Sequence, residues 1–487
     1  MGLTRLEASQ TGTVYIVGAG PGPGDLITVR GLRALEKADV VIADALVPRS
    51  FFDDVGIIVP DNGIIWRDAQ EPALTQDQVN DLLIEHALTG RTVVRLKGGD
   101  PGVFGRGWEE AEVLSRHGIA WEIIPGLTAG TALPAQAGLP LTLRGEARSF
   151  ALATGRLDGD EVNPELPRAD SVLLYMSVSA LPRISEQLLA DGWSPRTPVT
   201  IIERGGLLWE RRFRGGLGEI AQIAQEVKLT SPALIVVGEA ARRRVEMPTI
   251  LFTGLDPANF RTLGTLLHWP ALQVVEAPDA GEQVAHALEA GQSARRVTFI
   301  FTSKAGVRAF FAAATGQARC SKDLLTGARL IAAGPGTAQM LERYGVCGAT
   351  VPEVPGSEGI IGGLSERERG LCVLIQGAQA TNALECELFA RFEGNGGGVV
   401  RLKLHRAVPH CELGGTALPE HDAIFFTSPS GVRAYQDVFG ADAFRREVLC
   451  IGEQTKAALR SLDVEGKVVH PGVAESSRSG RSSSSAT

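Results

Sequence analysis

Thr92-Val-Val-Arg-Leu-Lys-Gly-Gly-Asp-Pro-Gly-Val-Phe-Gly-Arg-Gly107 decides the reading of the first half of this chain. Val93, Val94 and Leu96 predict a short strand that breaks at Gly98-Gly99. Two glycines at a strand end free the backbone for unusual dihedrals and let a ligand approach with no side chain between. Asp100 then sets a carboxylate where a ribose hydroxyl or an amine could bind, and Pro101 stiffens the turn before Trp108-Glu109-Glu110 opens a helix. Strand, glycine loop and helix in this order predict an α/β fold. A bare Gly-Gly-Asp is equally an ordinary strand-to-helix turn. What favours a ligand loop is the set of similar loops around it.

Working outward, Thr13–Gly18 predicts a strand ending in Gly18-Ala-Gly-Pro-Gly-Pro-Gly24. That loop resembles a nucleotide-binding fingerprint, but its interleaved prolines do not suit a helix N-terminus that cradles pyrophosphate. A helix is predicted over Leu26–Lys37 and a strand over Val40–Ala43. Asp44 sits at the C-terminal end of that strand, on the rim where open α/β sheets bind ligands, although a plain cap or turn former fits it too. Gln76–Thr89 is amphipathic and helical. Ala120–Ile124 predicts a strand closed by Pro125-Gly-Leu-Thr-Ala129, and further strands are predicted at Ser149–Ala153, Ser171–Met176, Val199–Ile202 and within Ser231–Gly238. Arg211, Arg212 and Arg214 read as a solvated edge. The charged stretch Glu239–Glu246 and Pro248 mark a boundary.

The 487 residues, 44% of them hydrophobic, are enough for two to four globular domains. The formal net charge of −8 argues against a general nucleic-acid binder, so an acidic ligand would be held by local arginines. No apolar run is long enough to span a bilayer and Met1–Gln10 has no signal-peptide core, which predicts a cytoplasmic protein. The cysteines, Cys320, Cys347, Cys372, Cys386, Cys411 and Cys450, form no C-x-x-C pair. Apart from the close pair His410-Cys411 they read as free thiols, and no metal is expected.

V-G-A-G-P-G, A-D-A-L-V, V-R-L-K-G-G-D-P-G-V-F-G-R-G, I-P-G-L-T-A, G-L-P-L-T, L-Y-M-S and S-P-A-L-I-V-V-G follow one another between Thr13 and Gly238. In this order they resemble the tetrapyrrole methylase family, and most of all its uroporphyrinogen-III C-methyltransferases. The resemblance implies a two-lobed α/β methylase domain over 11–240, with S-adenosylmethionine in the cleft between the lobes and a homodimer formed through this domain. By position it implies cofactor contacts at Pro21, Gly98, Gly99, Asp100, Val103, Thr128, Ala129, Met176 and Gly205. Asp44 falls where the family places its base, and Arg67 where the family has a lysine proton donor. Arginine keeps the charge of that lysine but is effectively never deprotonated. Pro23 stands where the family usually has Asp, Ala45 where it has Arg, and Leu143 where it often has His.

The second half repeats itself. Phe301-Thr-Ser-Lys-Ala-Gly-Val-Arg-Ala309 returns as Phe426-Thr-Ser-Pro-Ser-Gly-Val-Arg-Ala434, each after an apolar strand and before a helix. Ala333-Gly-Pro-Gly-Thr337 and Ile451-Gly-Glu-Gln-Thr455 form a second pair. Two matched pairs predict two copies of one α/β unit around a shared cleft. Turns of this kind expose amides and hydroxyls at helix N-termini, suited to carboxylates, although each hydroxyl taken alone also reads as a helix cap. The candidates are Thr302, Ser303, Thr337, Thr427, Ser428, Ser430 and Thr455. This half, about 249–475, resembles uroporphyrinogen-III synthase, which closes the linear hydroxymethylbilane into a ring without metal or cofactor. The resemblance implies two similar domains joined by two crossings, one of them discontinuous (249–280 with 412–475) around the other (283–408). Residues 476–487 read as a disordered tail.

The two resemblances support one another, because the synthase product is the methylase substrate. Together they imply a bifunctional enzyme of sirohaem or cobalamin biosynthesis acting on polycarboxylate tetrapyrroles. Two alternatives stay open: a first half that binds cofactor without turnover or methylates another tetrapyrrole, and a second half that only senses an anion.

Overall fold

A computed structural model of the chain describes residues 11–469 apart from 58–62, 69–71, 157–162, 164, 243–246, 315–324, 355, 366–367, 394–396 and 411–416. The expected tail, Met1–Gln10, Cys320 and Cys411 lie outside the described residues. The chain divides into two compact units, 1–128 with 273–408 and 129–272 with 409–487. Each sheet draws its strands from one side of residues 239–248.

In the first unit, β1 (Thr13–Gly18), β2 (Val40–Ala43), β3 (Ile64–Trp66), β4 (Val93–Lys97) and β5 (Ala120–Ile124) form a parallel sheet in the order β3-β2-β4-β1-β5. A parallel sheet is covered on both faces, and its strands are accordingly runs of Val and Ile rather than alternating patterns. Val14, Ile42 and Val93 pack with Val79 and Leu83 of the helix Gln76–Leu88, while Val17, Val41 and Leu96 pack on the other side. β4 lies at the centre and is buried throughout, Arg95 and Lys97 included. The helix predicted over Leu26–Lys37 is shorter than expected. Gly24–Leu26 is a 3-10 turn and the helix proper is Val29–Leu35, started by Thr28, whose Oγ1 accepts from Gly31 N at 3.1 Å. The hydroxyl satisfies an amide that has no helical carbonyl to pair with, which fixes the start there.

In the second unit, β6 (Phe150–Thr154), β7 (Ser171–Tyr175), β8 (Pro198–Glu203), β9 (Arg211–Gly216) and β10 (Ala233–Gly238) take the order β6-β7-β10-β8-β9. Only β6 and β7 pair in parallel; the other pairings are antiparallel. β9 is an edge strand, as the arginine cluster predicts, yet Arg211 and Arg212 are not solvated. They pair with the buried carboxylates of Glu203 and Glu210.

The second half of the chain builds two further sheets. β11 (Thr249–Phe252), β12 (Thr265–His268), β18 (Ala423–Phe426), β19 (Glu447–Cys450) and β20 (Lys467–Val468) form the outer one, ordered β12-β11-β18-β19-β20. β13 (Leu272–Glu276), β14 (Val297–Phe301), β15 (Arg329–Ala332), β16 (Leu371–Gly377) and β17 (Gly398–Pro409) form the inner one, ordered β13-β17-β16-β14-β15. When the strands that lead into Thr-Ser are matched, β15-β14-β16-β17 and β19-β18-β11-β12 have the same order, with the outer copy circularly permuted. Thr302 and Thr427 thus leave their sheets at the point where the winding reverses, the place where open α/β sheets bind ligands.

One boundary moves. Leu272–Glu276, expected in the outer domain, joins the inner sheet, so the first crossing falls at Pro270-Ala271. Ala277 N donates to Leu404 O at 2.9 Å and Lys403 N to Gln283 Oε1 at 2.8 Å, which ties the following segment to β17.

His268 ends β12 and donates from Nε2 to Gly254 O at 2.7 Å. Burial drives its pKa down to about 4, against the opposing pull of that hydrogen bond and of Asp256. Between pH 6.5 and 4 the unfolded chain holds a proton here that the folded chain does not, so stability falls as pH drops through that window. The loss attributable to His268 is up to about 3 kcal/mol. Urea midpoints measured from pH 7 to 4 should decline less steeply in His268→Gln than in the unaltered protein.

Candidate functional site

Three chain segments converge at the C-terminal ends of β1, β4 and β5. Gly20 N donates to Gly99 O at 3.2 Å and Gly99 N to Gly20 O at 2.7 Å. Gly99 has φ +69, which an L side chain adopts only under strain. A Cβ on Gly126 would stand 2.2 Å from Gly99 O and 2.8 Å from Gly18 Cα, so no side chain fits between these backbones. Asp100 fastens the assembly: its Oδ1 accepts from Gly102 N at 2.7 Å and its Oδ2 from Gly126 N at 3.0 Å. Each carboxylate oxygen keeps a second lone pair beside these bonds. Pro21, Gly98, Val103 and Thr128 are all partly exposed around this floor.

Beside it lies a charged cluster under the rim. Arg95 donates from Nε to Glu110 Oε1 at 3.1 Å, and one of its terminal nitrogens pairs with Asp44. Lys97 Nζ is 2.8 Å from Glu110 Oε1 and 3.7 Å from Asp44 Oδ2. Arg67 reaches Asp44 Oδ1 at 3.6 Å and donates from Nε to Leu74 O at 3.1 Å, so the structure brings together the two residues singled out for catalysis. Burial alone would raise the Asp44 pKa, but Arg95, Lys97 and Arg67 outweigh it and hold the carboxyl below its ordinary range. Burial lowers the Lys97 pKa and Arg95 lowers it further, with Glu110 and Asp44 opposing.

Arg95, Lys97 and Glu110 were not singled out from the sequence. The available signal was two cations inside an otherwise apolar strand, which require a buried carboxylate partner.

In the second unit, Met176 follows β7 with φ +51 and is 53% exposed. Ala129 starts the helix Ala129–Gln136, and the next amide, Gly130 N, donates to the Tyr175 hydroxyl. A Cβ on Gly205 would stand 2.5 Å from Leu133 Cδ1 of the same helix, so Gly205 packs directly on the element that Ala129 begins.

The synthase-like turns are placed as expected, but their hydroxyls are largely occupied. Ser303 and Ser428 cap their helices, accepting from Gly306 N at 3.0 Å and Gly431 N at 3.1 Å. Thr302 Oγ1 donates to Ile375 O at 2.8 Å, and Ser430 Oγ lies 3.1 Å from Ser428 Oγ. Thr427 is partly exposed and abuts Gly254. Thr337 and Thr455 are corrections to the expectation of exposed hydroxyls. They are only 6% and 2% exposed, because the first helical turn after Gly334 and Gly452 rolls them toward the sheet. What these turns present to a carboxylate is therefore backbone amide more than hydroxyl. Among the described residues no group of three or more His, Cys, Asp or Glu gathers as a metal site, and no helix is long and apolar enough to cross a membrane.

Residues 13–221 match the family described as Tetrapyrrole (Corrin/Porphyrin) Methylases. Uroporphyrinogen-III C-methyltransferase of Priestia megaterium is 40% identical over 235 residues, 47% of this chain and 98% of that protein. The chain belongs to the tetrapyrrole methylase family. Residues 261–477 match Uroporphyrinogen-III synthase HemD. Siroheme synthase of Pseudomonas aeruginosa is 42% identical over 250 residues, 48% of this chain and 51% of that protein, so the chain spans about half the length of the siroheme synthases it matches. The crystal structure of uroporphyrin-III-C-methyltransferase from Thermus thermophilus is similar over 47% of this chain and 96% of that one, at 39% identity and a TM-score of 0.41.

Two of the departures from the methylase pattern acquire a local account. Pro23 starts the 3-10 turn, Leu26 N donating to its carbonyl at 3.1 Å. Ala45 is exposed and adds no charge at the rim, where Arg95, Lys97 and Arg67 already surround Asp44.

Glu110→Gln should cost about 3 kcal/mol, since it leaves the fully buried Arg95 and Lys97 with Asp44 as their one remaining anion in this cluster. Equilibrium urea denaturation measures it, and a loss under 1 kcal/mol (about the median of a surface pair) would contradict the account.

Proposed function

We propose that the chain is a bifunctional tetrapyrrole enzyme. Its second half closes hydroxymethylbilane to uroporphyrinogen III, and its first half methylates two pyrrole carbons of that product, toward precorrin-2. The observation that carries the methylase reading is the placement of Asp44: an ionised carboxylate on the rim of the sheet, flanked by three cations and beside the Gly98-Gly99-Asp100 loop.

The residues fit S-adenosylmethionine. Gly98 and Gly99 offer bare backbone, Asp100 retains acceptor capacity for hydroxyls, and Met176 and Ala129 offer small or polarizable apolar surface. When bound, S-adenosylmethionine supplies an already activated methyl group. What the chain must add is alignment and a proton acceptor. The Gly20–Gly99 bridge and the Asp100 bonds fix the loop without mobile side chains. Asp44 takes the proton that methylation releases from the tetrapyrrole, and Arg67, Arg95 and Lys97 keep it ionised until then. Arg67 is also the most exposed of the three cations, at 32%, and so is the one able to meet a substrate carboxylate. In the second half, the amides at the starts of the helices Lys304–Ala313 and Pro429–Phe439 suit the carboxylates of a bilane and stabilise charge by placement rather than by acid chemistry. The reading includes a homodimer formed through the methylase half.

The test is an anaerobic assay with hydroxymethylbilane, with and without S-adenosylmethionine, read by mass and isomer analysis. A dimethylated type III product is expected. Unmethylated type III product would remove the methylase reading, and type I product alone would reduce the second half to a binding module.

Asp44→Asn should lower methylation about 10²–10⁴-fold while ring closure continues. Because the Asp44 pKa is depressed, the acid limb of methylation should fall below the usual carboxylate value of 3.8, to the extent that the fold persists there.

A further inference from the structure

The loop Arg204–Glu210, between β8 and β9, carries Gly205 and has two non-glycine residues at positive φ. Arg204 and Trp209 have φ of +52 and +60, a region that non-glycine residues occupy only when neighbours enforce it. Inside the methylase segment the restraints include Arg204 N to Pro232 O at 2.8 Å, Leu207 N to Arg204 O at 2.9 Å, the Arg204 guanidinium 5.1 Å over the Trp209 ring, and Gly206 N to Glu210 Oε2 at 2.8 Å, with Arg212 on the other Glu210 oxygen.

Further restraints come from the segment that matches the synthase. Trp209 N donates to His268 O at 3.0 Å, and Trp269 Nε1 donates to Glu210 O at 3.0 Å. The Trp209 ring stands edge-on to His410, with centroids 4.4 Å apart. Trp269 is itself held from several sides. It is 1% exposed, its amide donates to Phe252 O at 2.8 Å, and its carbonyl accepts from the Tyr435 hydroxyl at 2.6 Å. A buried residue just after β12 thus bonds the far end of the loop, whose near end packs on Leu133 through Gly205.

We propose that Trp269 is a positioning residue for the methylase: by holding Glu210, beside the contacts that His268 and His410 make to Trp209, it fixes Gly205, so that the synthase module sets the affinity of the methylase for its methyl donor. The inference rests on the reading that Gly205 borders S-adenosylmethionine.

The experiment uses the full-length protein and S-adenosylhomocysteine as probe, with affinity read by titration calorimetry. Trp269→Phe keeps an aromatic ring and removes the N–H donor. Its dissociation constant should rise about three- to tenfold, the scale of one hydrogen bond. Its melting midpoint should fall, because a buried indole is replaced by a smaller ring and Glu210 O loses its donor, while its ring closure of hydroxymethylbilane should stay near that of the unaltered protein. In methylation the KM for S-adenosylmethionine should rise while kcat holds, a split that general loosening does not produce. Trp209→Asn, with a residue that tolerates positive φ, removes the ring contact outside the sheet core and should weaken binding in the same way. The double variant should be less than additive, because both residues act through one loop. Unchanged affinity in folded Trp269→Phe overturns the inference. If that variant does not fold, unchanged affinity in Trp209→Asn overturns it instead. If the unaltered protein holds no S-adenosylhomocysteine, the cofactor reading falls, and this inference with it.

Discussion

Glu110 is the residue on which the first sheet depends. Its Oε1 receives Arg95 Nε, Lys97 Nζ and Gln76 Nε2 within 3.1 Å, and its carboxylate is fully buried. Two cations on the central strand of a parallel sheet are tolerable only with such a partner, because an unpaired buried charge costs several kcal/mol. The same carboxylate governs the rim. With Arg95 and Lys97 drawn back toward Glu110, Asp44 faces their positive charge without being locked away, remaining 19% exposed at its side chain. A stabilising ion network and a rim carboxylate held below its ordinary pKa are therefore one arrangement.

Much of this was legible in the sequence. Val-rich runs with a glycine break announce a parallel strand and its loop, and Asp44 follows from its place after Val40–Ala43. The matched Phe-Thr-Ser motifs announce a duplicated unit. What stayed hidden is what distance in sequence hides. Nothing local says that Glu110, on the helix Gly107–Arg116, turns inward to meet Arg95. Thr337 and Thr455 looked like exposed turn hydroxyls because the motif marks the turn but not the roll of the helix after it. The arginines of β9 looked solvated because Glu203 and Glu210 lie on the neighbouring strand and loop. Trp269 and Glu210 are 59 positions apart and share no motif at all.

Net charge is also a poor guide to local charge here. A chain at −8 can still gather cations where they act, on one strand rim and beside it, while its overall charge stays acidic.

The two crossings at Pro270-Ala271 and after Pro409 give the outer sheet an unusual history during synthesis. β11 pairs with β18, and Thr253 N reaches Phe425 O across 172 positions. On the ribosome, β11 and β12 emerge early and must wait while the whole inner sheet is made. Until β18 follows, Leu251 and Phe252 have no partner strand on that side, an apolar edge open to other chains. The inner sheet, contiguous from β13 to β17, can close first and hold the two ends together for the strand that completes its neighbour.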